Sequence, residues 1–198
     1  NGLKRIGKIA QLAADYELPL GLTASGTVGW MENDAAMIFD YGSQYYTNPA
    51  TFNPSATAYA FEDEYYEFRL STDGDKRLRG MVGVSYVDSS QFIQSVLSRS
   101  GQMSVSFPPT ENYSKTLGIF GSVSYDINDK LTATVEGRYQ EDEVGRRTVV
   151  PGTTSWQDLS GMTYSFVPRV ILQYHVNSDL ELFVSYSEGS RPGSLNTG

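Results

Sequence analysis

The sequence offers few side chains with the types and spacing that enzyme chemistry requires. Its single histidine, His175, has neither a cysteine nor a second histidine to complete a transition-metal site. The chain contains no serine, histidine and aspartate grouping with a hydrolase motif, no phosphate-binding glycine loop and no metalloprotease motif. We therefore predict a protein that is not an enzyme, with no catalytic residue and no cofactor. His175 is expected to be a solvated residue at a strand end.

Two short acidic runs are the other candidates for metal binding. Glu62-Asp63-Glu64 and Glu141-Asp142-Glu143 could offer carboxylate oxygens to Ca²⁺. Neither run has the spacing of a calcium-binding loop, and the default interpretation is solvated charge near loops. We predict no metal site and keep calcium as the alternative.

A further group of polar side chains occupies alternate positions of β-rich runs. Alternation places such residues together on one face of a sheet, where mixed charge would line a wet interior. A cross-strand charge ladder, stabilising by a few tenths to about 1 kcal/mol per pair, explains the same pattern. The residues predicted to face a lumen are Glu67, Arg69, Glu136, Arg138, Arg169 and Gln173.

The segment 39–61 is unusually rich in aromatic residues for a loop. Rigid aromatics in an external loop could capture a ligand, or they could pack the loop against its neighbours. Both possibilities stay open at this point. The candidate ligand-binding residues are Phe39, Tyr41, Tyr45, Tyr46 and Phe52, and Tyr59 and Phe61 lie in the same predicted loop.

The composition of the whole chain favours β-structure. Its 198 residues include 14 Tyr, 9 Phe and 19 Gly. The net charge of -8 leaves no basic surface for a nucleic-acid backbone, so nucleic acid is not expected as a partner. No run of about eighteen apolar residues is present, which excludes a membrane helix but not a membrane β-barrel.

Short turns and longer polar segments alternate along the chain. Turn clusters lie at 18–21, 72–76, 127–130 and 176–179, each between two β-rich runs. Short turns on one rim and long loops on the other are typical of an outer-membrane barrel. The predicted strands are 8–18, 20–32, 59–72, 77–89, 114–126, 130–142, 162–176 and 180–190. The predicted long loops are 33–58, 90–113, 143–161 and 191–198.

Apolar and polar residues alternate most clearly in the run from Leu131 to Gln140. Aromatic residues fall on the apolar side at both ends of such runs, as two interfacial rows would. A soluble barrel whose tyrosines cap its ends is the alternative explanation. The row next to the short turns comprises Tyr16, Tyr125 and Tyr174, and the row next to the long loops comprises Trp30, Tyr86, Tyr139 and Tyr186.

Three stretches, Tyr65–Tyr86, Leu117–Glu143 and Phe166–Asn196, resemble the barrel of TonB-dependent outer-membrane receptors. The most specific part is SYSEGSRPGSLN, which is similar to that family's tyrosine-bearing strand followed by Gly, Arg-Pro-Gly and Asn. Ser194-Leu195 departs from the more usual Gly-Phe. The resemblance implies a barrel of about 22 strands around a plug domain, an inner-membrane energy source and the uptake of siderophores or other bulky nutrients.

These observations predict an all-β chain of about eight antiparallel transmembrane strands. Residues 1–198 are expected to form one segment of four hairpins joined by long external loops, without a plug domain and as a middle part of a larger receptor in the bacterial outer membrane. The expected partners are outer-membrane lipid, a plug domain with the remaining barrel strands and a TonB-type coupling protein. Two alternatives are a complete eight-stranded barrel with a structural or adhesive role, and a soluble β-barrel that binds a ligand.

Overall fold

The chain forms one antiparallel sheet in the computed structural model, which describes residues 2–40, 54–99 and 102–190. Each long strand pairs with the next long strand along the chain. The short β5 pairs with the C-terminal end of β4. β1 and β9 are the two edges of the described sheet. The strands are β1 (Gly2–Leu18), β2 (Leu22–Asp40), β3 (Pro54–Thr72), β4 (Leu78–Arg99), β5 (Gln102–Ser106), β6 (Thr110–Asn128), β7 (Leu131–Val149), β8 (Trp156–Asn177) and β9 (Leu180–Ser187).

The four predicted short turns are confirmed, and their local chemistry explains three of them. The side-chain oxygens of Asp73, Asn128 and Asn177 each accept a hydrogen bond from the backbone N–H two residues further on, at 2.9 to 3.4 Å. Such bonds favour a tight reversal over continued strand. In the first turn, Leu20 and Gly21 both adopt φ of 71°, which closes the β1–β2 hairpin with left-handed residues.

The predicted long loops were wrong in extent. Residues 33–40, 54–58, 90–93, 110–113, 143–149 and 156–161 all lie in strands that pair along their length, and β5 was not predicted at all. Outside a membrane both faces of a strand meet water, so the backbone pairing continues while the apolar alternation ends. The strands of 17 to 22 residues are therefore about twice the 9–11 residues that cross a bilayer.

The two faces of the sheet have opposite chemistry, and their burial is inverted relative to a soluble protein. The buried polar side chains are Asn33, Ser55, Thr57, Ser85, Thr110, Thr134 and Asp142, and the strand register places all seven on one face. Most large apolar side chains are exposed on the other face. Side chains converge and shield one another on the inside of a curved sheet, so the polar face is the concave one.

The described residues contain no helix that is long and apolar enough to cross a membrane.

Candidate functional site

All six residues predicted to face a lumen lie on the polar face of the sheet. Glu67 and Arg69 come from β3, Glu136 and Arg138 from β7, and Arg169 and Gln173 from β8. The register connects them: Arg69 lies opposite Gly83, and Glu136 lies opposite both Ser122 and Arg169. Because side chains alternate along each strand, one continuous register fixes the face of all six.

Arg138 is the centre of the hydrogen-bonded part of this face. Its Nε donates to Gln140 at 2.8 Å, and its Nη2 donates across β6 to the Ser85 hydroxyl on β4 at 3.1 Å. The side chain reaches Ser85 because Gly118 lies beneath it, where a Cβ atom would collide with the guanidinium. Gln140 in turn donates to Asp142, which also accepts from Thr116 at 2.7 Å. The polar face is therefore a connected network that runs across β4, β6 and β7.

The other predicted residues form short pairs on either side of this network. Arg69 lies 3.0 Å from Glu67, and Arg169 lies 3.5 Å from Glu136 directly across the β7–β8 pair. Gln173 donates to Glu181 at 3.2 Å. The Arg169–Glu136 and Gln173–Glu181 contacts join neighbouring strands, as in the cross-strand ladder considered above, whereas Arg69 and Glu67 lie two residues apart on β3. The half-exposed Arg169–Glu136 ion pair stabilises the sheet by roughly 0.2–1 kcal/mol.

His175 lies at the short-turn end of β8 and is half exposed. Its Nδ1 is 3.0 Å from Glu181. In the part of the chain that the structure describes, no group of three or more histidine, aspartate or glutamate side chains is arranged to hold a metal ion. Each of the two acidic runs lies within a strand, so its side chains alternate between the two faces of the sheet. Asp63 and Asp142 face the polar side, while the glutamates beside them face the other side.

The aromatic segment is only partly described. Tyr41, Tyr45, Tyr46 and Phe52 lie outside the described residues, and Phe39 lies in β2 opposite Ser55. Tyr59 and Phe61, which were counted with the aromatic segment and also fall at the start of the predicted strand 59–72, are neighbours two residues apart on the polar face of β3. Their rings stack with centroids 6.1 Å apart. This stacked pair lies on the concave face, beyond the aromatic row next to the long loops, which we call the upper row. It is a candidate contact for a ligand that enters from the long-loop rim.

A compact ion pair closes the opposite rim, where the short turns lie. Arg79 donates from both terminal nitrogens to the two carboxylate oxygens of Asp126, at 2.6 and 2.7 Å, and the Thr132 hydroxyl donates to the same carboxylate at 2.7 Å. Bidentate geometry of this kind is the strong form of a guanidinium–carboxylate pair. The Arg79 guanidinium and then the Thr132 hydroxyl hold the pKa of the Asp126 carboxyl well below its usual range.

We predict that Asp126 stays ionised in the folded protein at about pH 3, where a free aspartate is mostly protonated. A folded-state pKa below the unfolded value stabilises the folded protein above the unfolded pKa, and this contribution is lost as pH falls through the folded pKa. A ¹³C NMR titration of the carboxyl in micelles measures it. Arg79→Met should return the pKa of Asp126 towards the ordinary value, and an ordinary titration in both proteins would contradict the assignment.

The apolar face carries the two predicted aromatic rows. All seven residues named above for these rows lie on this face by register. The rows run obliquely to the hydrogen bonds. From Tyr16 the register leads across six strand pairings to Pro168, which is six residues from Tyr174. From Trp30 the register leads across five pairings to Met162 on β8. Tyr186 on β9, one pairing further, lies opposite Val170, which is eight residues from Met162.

This offset gives the inclination of the strands. If each row lies level in a membrane, six and eight residues over six pairings correspond to tilts of about 35° and about 43°, at about 3.3 Å per residue and about 4.8 Å between strands. Strands of membrane barrels tilt by about 35–45°. Both rows therefore give a tilt within the range of membrane barrels.

Comparison with solved structures gives the same architecture. The ferric yersiniabactin uptake receptor FyuA from Yersinia pestis is 12% identical with a TM-score of 0.74, and the match covers 92% of this chain and 28% of FyuA. The siderophore receptor PiuA from Acinetobacter baumannii is 10% identical with a TM-score of 0.68, covering 93% and 32%. The copper transporter OprC is 11% identical with a TM-score of 0.63, covering 93% and 30%.

At such identities the likeness shows the fold, and the chain spans about a third or less of the length of these proteins. A comparison with curated protein sequences gives no match. The family profile described as TonB dependent receptor-like, beta-barrel matches residues 6–198. The inverted antiparallel sheet and the two aromatic rows agree with this match, and the chain belongs to the TonB-dependent receptor β-barrel family.

Proposed function

We propose that the chain forms part of the wall of an outer-membrane receptor that takes up a siderophore-like or other bulky nutrient. The single observation that carries this proposal is the inverted burial, with polar side chains shielded on the concave face and apolar side chains exposed on the convex face. An exposed apolar face of this extent would aggregate in water and is stable against lipid. The soluble barrel, which needs an apolar interior, is therefore disfavoured.

The edges of the sheet also disfavour a complete eight-stranded barrel. In the described part of the chain β1 pairs only with β2, and β9 pairs only with β8. Unpaired edge groups in hydrocarbon cost several kcal/mol each, and we therefore propose that further strands pair with both edges. Those strands, a plug domain in the lumen and a TonB-type coupling protein are the partners that we propose.

Within this wall, Glu67, Arg69, Glu136, Arg138, Arg169 and Gln173 line the lumen and contact water or the plug. The aromatic residues of segment 39–61 serve ligand capture at the outer rim, with the stacked Tyr59 and Phe61 as its described part. A ferric yersiniabactin receptor and a copper transporter both share the fold, and the cargo that we propose is a bulky metal complex or a comparable nutrient.

The proposal predicts energised uptake by the complete receptor. Cells that express the full reading frame should accumulate a labelled ferric siderophore from a panel of candidates, and a protonophore should abolish the accumulation. Cells that express only residues 1–198 should show none, because transport requires a closed wall around a plug. Protonophore-sensitive uptake by the 198-residue chain alone would refute the proposal that this chain is only part of the transporting barrel.

The orientation of the wall is testable separately. A protease site inserted in the turn at 151–154 should be cut in intact cells, because this turn joins β7 and β8 on the proposed external rim. The same site inserted at Asp129, in a short turn on the opposite rim, should be cut only after the outer membrane is permeabilised. Cleavage at Asp129 in intact cells would invert the topology.

A further inference from the structure

The concave face carries a row of planar polar side chains beyond the upper row, with the stacked rings of Tyr59 and Phe61 in its middle. Phe61 lies directly opposite Asn33 on β2 and Gln91 on β4, and Gln91 lies opposite Asn112 on β6. These side chains face the proposed lumen on the long-loop side of the sheet. We call the group the outer platform, and it comprises Arg5, Asn33, Tyr59, Phe61, Gln91 and Asn112.

Hydrogen bonds hold the polar groups of the outer platform in one orientation. Arg5 Nε donates to the Asn33 amide oxygen at 2.8 Å, and Asn112 Nδ2 donates to the Gln91 amide oxygen at 3.2 Å. Asn33 is 7% exposed whereas Arg5 is exposed, so a fixed amide anchors the guanidinium by its Nε, and this bond does not use the terminal nitrogens. In the second pair, the bond does not use the Gln91 nitrogen or the Asn112 oxygen. A ligand therefore meets donors and an acceptor already in place, at a small further cost in side-chain entropy.

The centre of the outer platform is neutral, and its charges stand at the sides. Arg5 lies on β1, and Arg146 lies on β7 opposite Asn112. On the described parts of β2, β3, β4 and β6, the concave side beyond the upper row holds one ionised group, Asp63. Further down the same face, the network around Arg138 is charged. A neutral centre gives an anionic chelate no charged partner, so the outer platform favours an uncharged part of a ligand.

Sugar rings match this combination of groups. A pyranose presents C–H groups on its faces and hydroxyls around its edge. The C–H groups carry a small positive charge and pack on the negative face of an aromatic ring, here that of Tyr59 or Phe61. The hydroxyls both donate and accept, so they pair with amides, and two adjacent hydroxyl oxygens can accept the two parallel N–H groups of a guanidinium. Aromatic rings flanked by amides and an anchored arginine are thus complementary to a neutral sugar.

We propose that the outer platform binds a pyranose ring of the incoming cargo, with the ring stacked on Tyr59 and Phe61 and its hydroxyls bonded to Arg5, Gln91 and Asn112. The sugar belongs either to a free oligosaccharide or to a ferric chelate that carries an attached glucose. The inference rests on the uptake function proposed above, since it names the chemistry of the cargo. Binding is measured without transport, so the two proposals fail independently of each other.

The test measures binding to the full-length receptor in detergent micelles by titration calorimetry. The probes are a ferric catecholate chelate, the same chelate with glucose attached, and neutral oligosaccharides of glucose, galactose, mannose and xylose. If the sugar is attached to a chelate, the glucosylated probe should bind at least tenfold more tightly than its parent. If it is free, an oligosaccharide should bind with a measurable Kd and the parent chelate should not compete with it.

Two variants locate the binding at the outer platform. Phe61→Ala removes a stacking ring and should weaken binding of the sugar-bearing probe at least tenfold, without changing the binding of the parent chelate. Asn112→Leu keeps the size of the side chain but removes its hydrogen-bonding groups, and it should give a similar loss. Phe92→Ala is the matched control, because Phe92 is next to Gln91 on β4 but faces the convex side.

Equal binding of the two chelates together with no binding of any oligosaccharide would overturn the proposal. Unchanged sugar binding in Phe61→Ala and Asn112→Leu, or the same loss in Phe92→Ala, would overturn it as well. Heat-modified electrophoretic mobility verifies folding of each variant, and Asn112→Leu carries the test if Phe61→Ala does not fold. Protonophore-sensitive uptake of the parent chelate without sugar binding would refute this inference alone, whereas sugar binding without uptake would refute only the transport proposal.

Discussion

Substituting Val135 by arginine is expected to destabilise the folded barrel by about 2–4 kcal/mol, the cost of a cation facing lipid near the middle of a membrane. Val135 is 57% exposed on the apolar face, between Val123 and Val170 of the neighbouring strands. Nothing in that row can pair with a guanidinium. Unfolding by denaturant in lipid vesicles measures the loss as a change in the free energy of unfolding.

Glu136→Ala is the matched control, since Glu136 is the next residue of β7 and faces the polar side. Its ion pair with Arg169 is half exposed, so its removal should cost less than about 1 kcal/mol. Equal losses for the two variants would show that the two faces of β7 are not in different solvents, and the membrane assignment of the apolar face would fall.

Gly145→Val is expected to destabilise the outer part of β6 and β7 by about 1–3 kcal/mol, the usual range for overpacking. Gly145 lies directly opposite Tyr113, and the tyrosine ring occupies the space that any Cβ atom on Gly145 would need. Tyr113 is 8% exposed and is the one buried large apolar side chain among the described residues. Its displacement would also break its hydrogen bond to Asp158, 3.2 Å long, and its stacking under Arg147.

A double-mutant cycle isolates this contact. In a Tyr113→Ala background the space over Gly145 is free, so Gly145→Val should cost much less there than in the natural protein. Unfolding in micelles measures the loss of unfolding free energy caused by Gly145→Val in each background. Hydrogen exchange of the β6 and β7 amides shows whether the loss is confined to these strands. The same cost in both backgrounds would mean that the strain lies in the backbone at Gly145 and not in the tyrosine ring.

The faces of the strands could be predicted from the sequence, because alternation is a local property. Residues Leu131 to Gln140 show it without interruption, and Glu136 and Arg138 lie on the polar face as predicted. Strand ends could not be predicted in this way. The run Ser89-Ser90-Gln91 carries no alternation because both of its faces are polar, yet all three residues pair with β3 and β6.

Side-chain contacts between strands could not be predicted from the sequence either, because they depend on the register of the strands. That Arg138 crosses Gly118 to reach Ser85 requires three strands to be aligned to the residue. Glycines in a strand otherwise predict only a weak point or a bulge. The ion pair of Arg79 and Asp126 joins residues 47 apart in the chain, and no spacing rule marks them as partners.

The inclination of the strands sets how far the outer rim stands from the membrane. β2 continues ten residues beyond Trp30, which at a tilt of about 40° raises its end roughly 25 Å above the aromatic row. Allowing about 6 Å for the headgroup layer leaves roughly 19 Å of wall in free solution, or about two Debye lengths at physiological ionic strength. In the proposed receptor, a charged cargo would thus meet the rim where the surface potential of the membrane is largely screened. Its first encounter would be governed by the charges of the protein and not by those of the lipid.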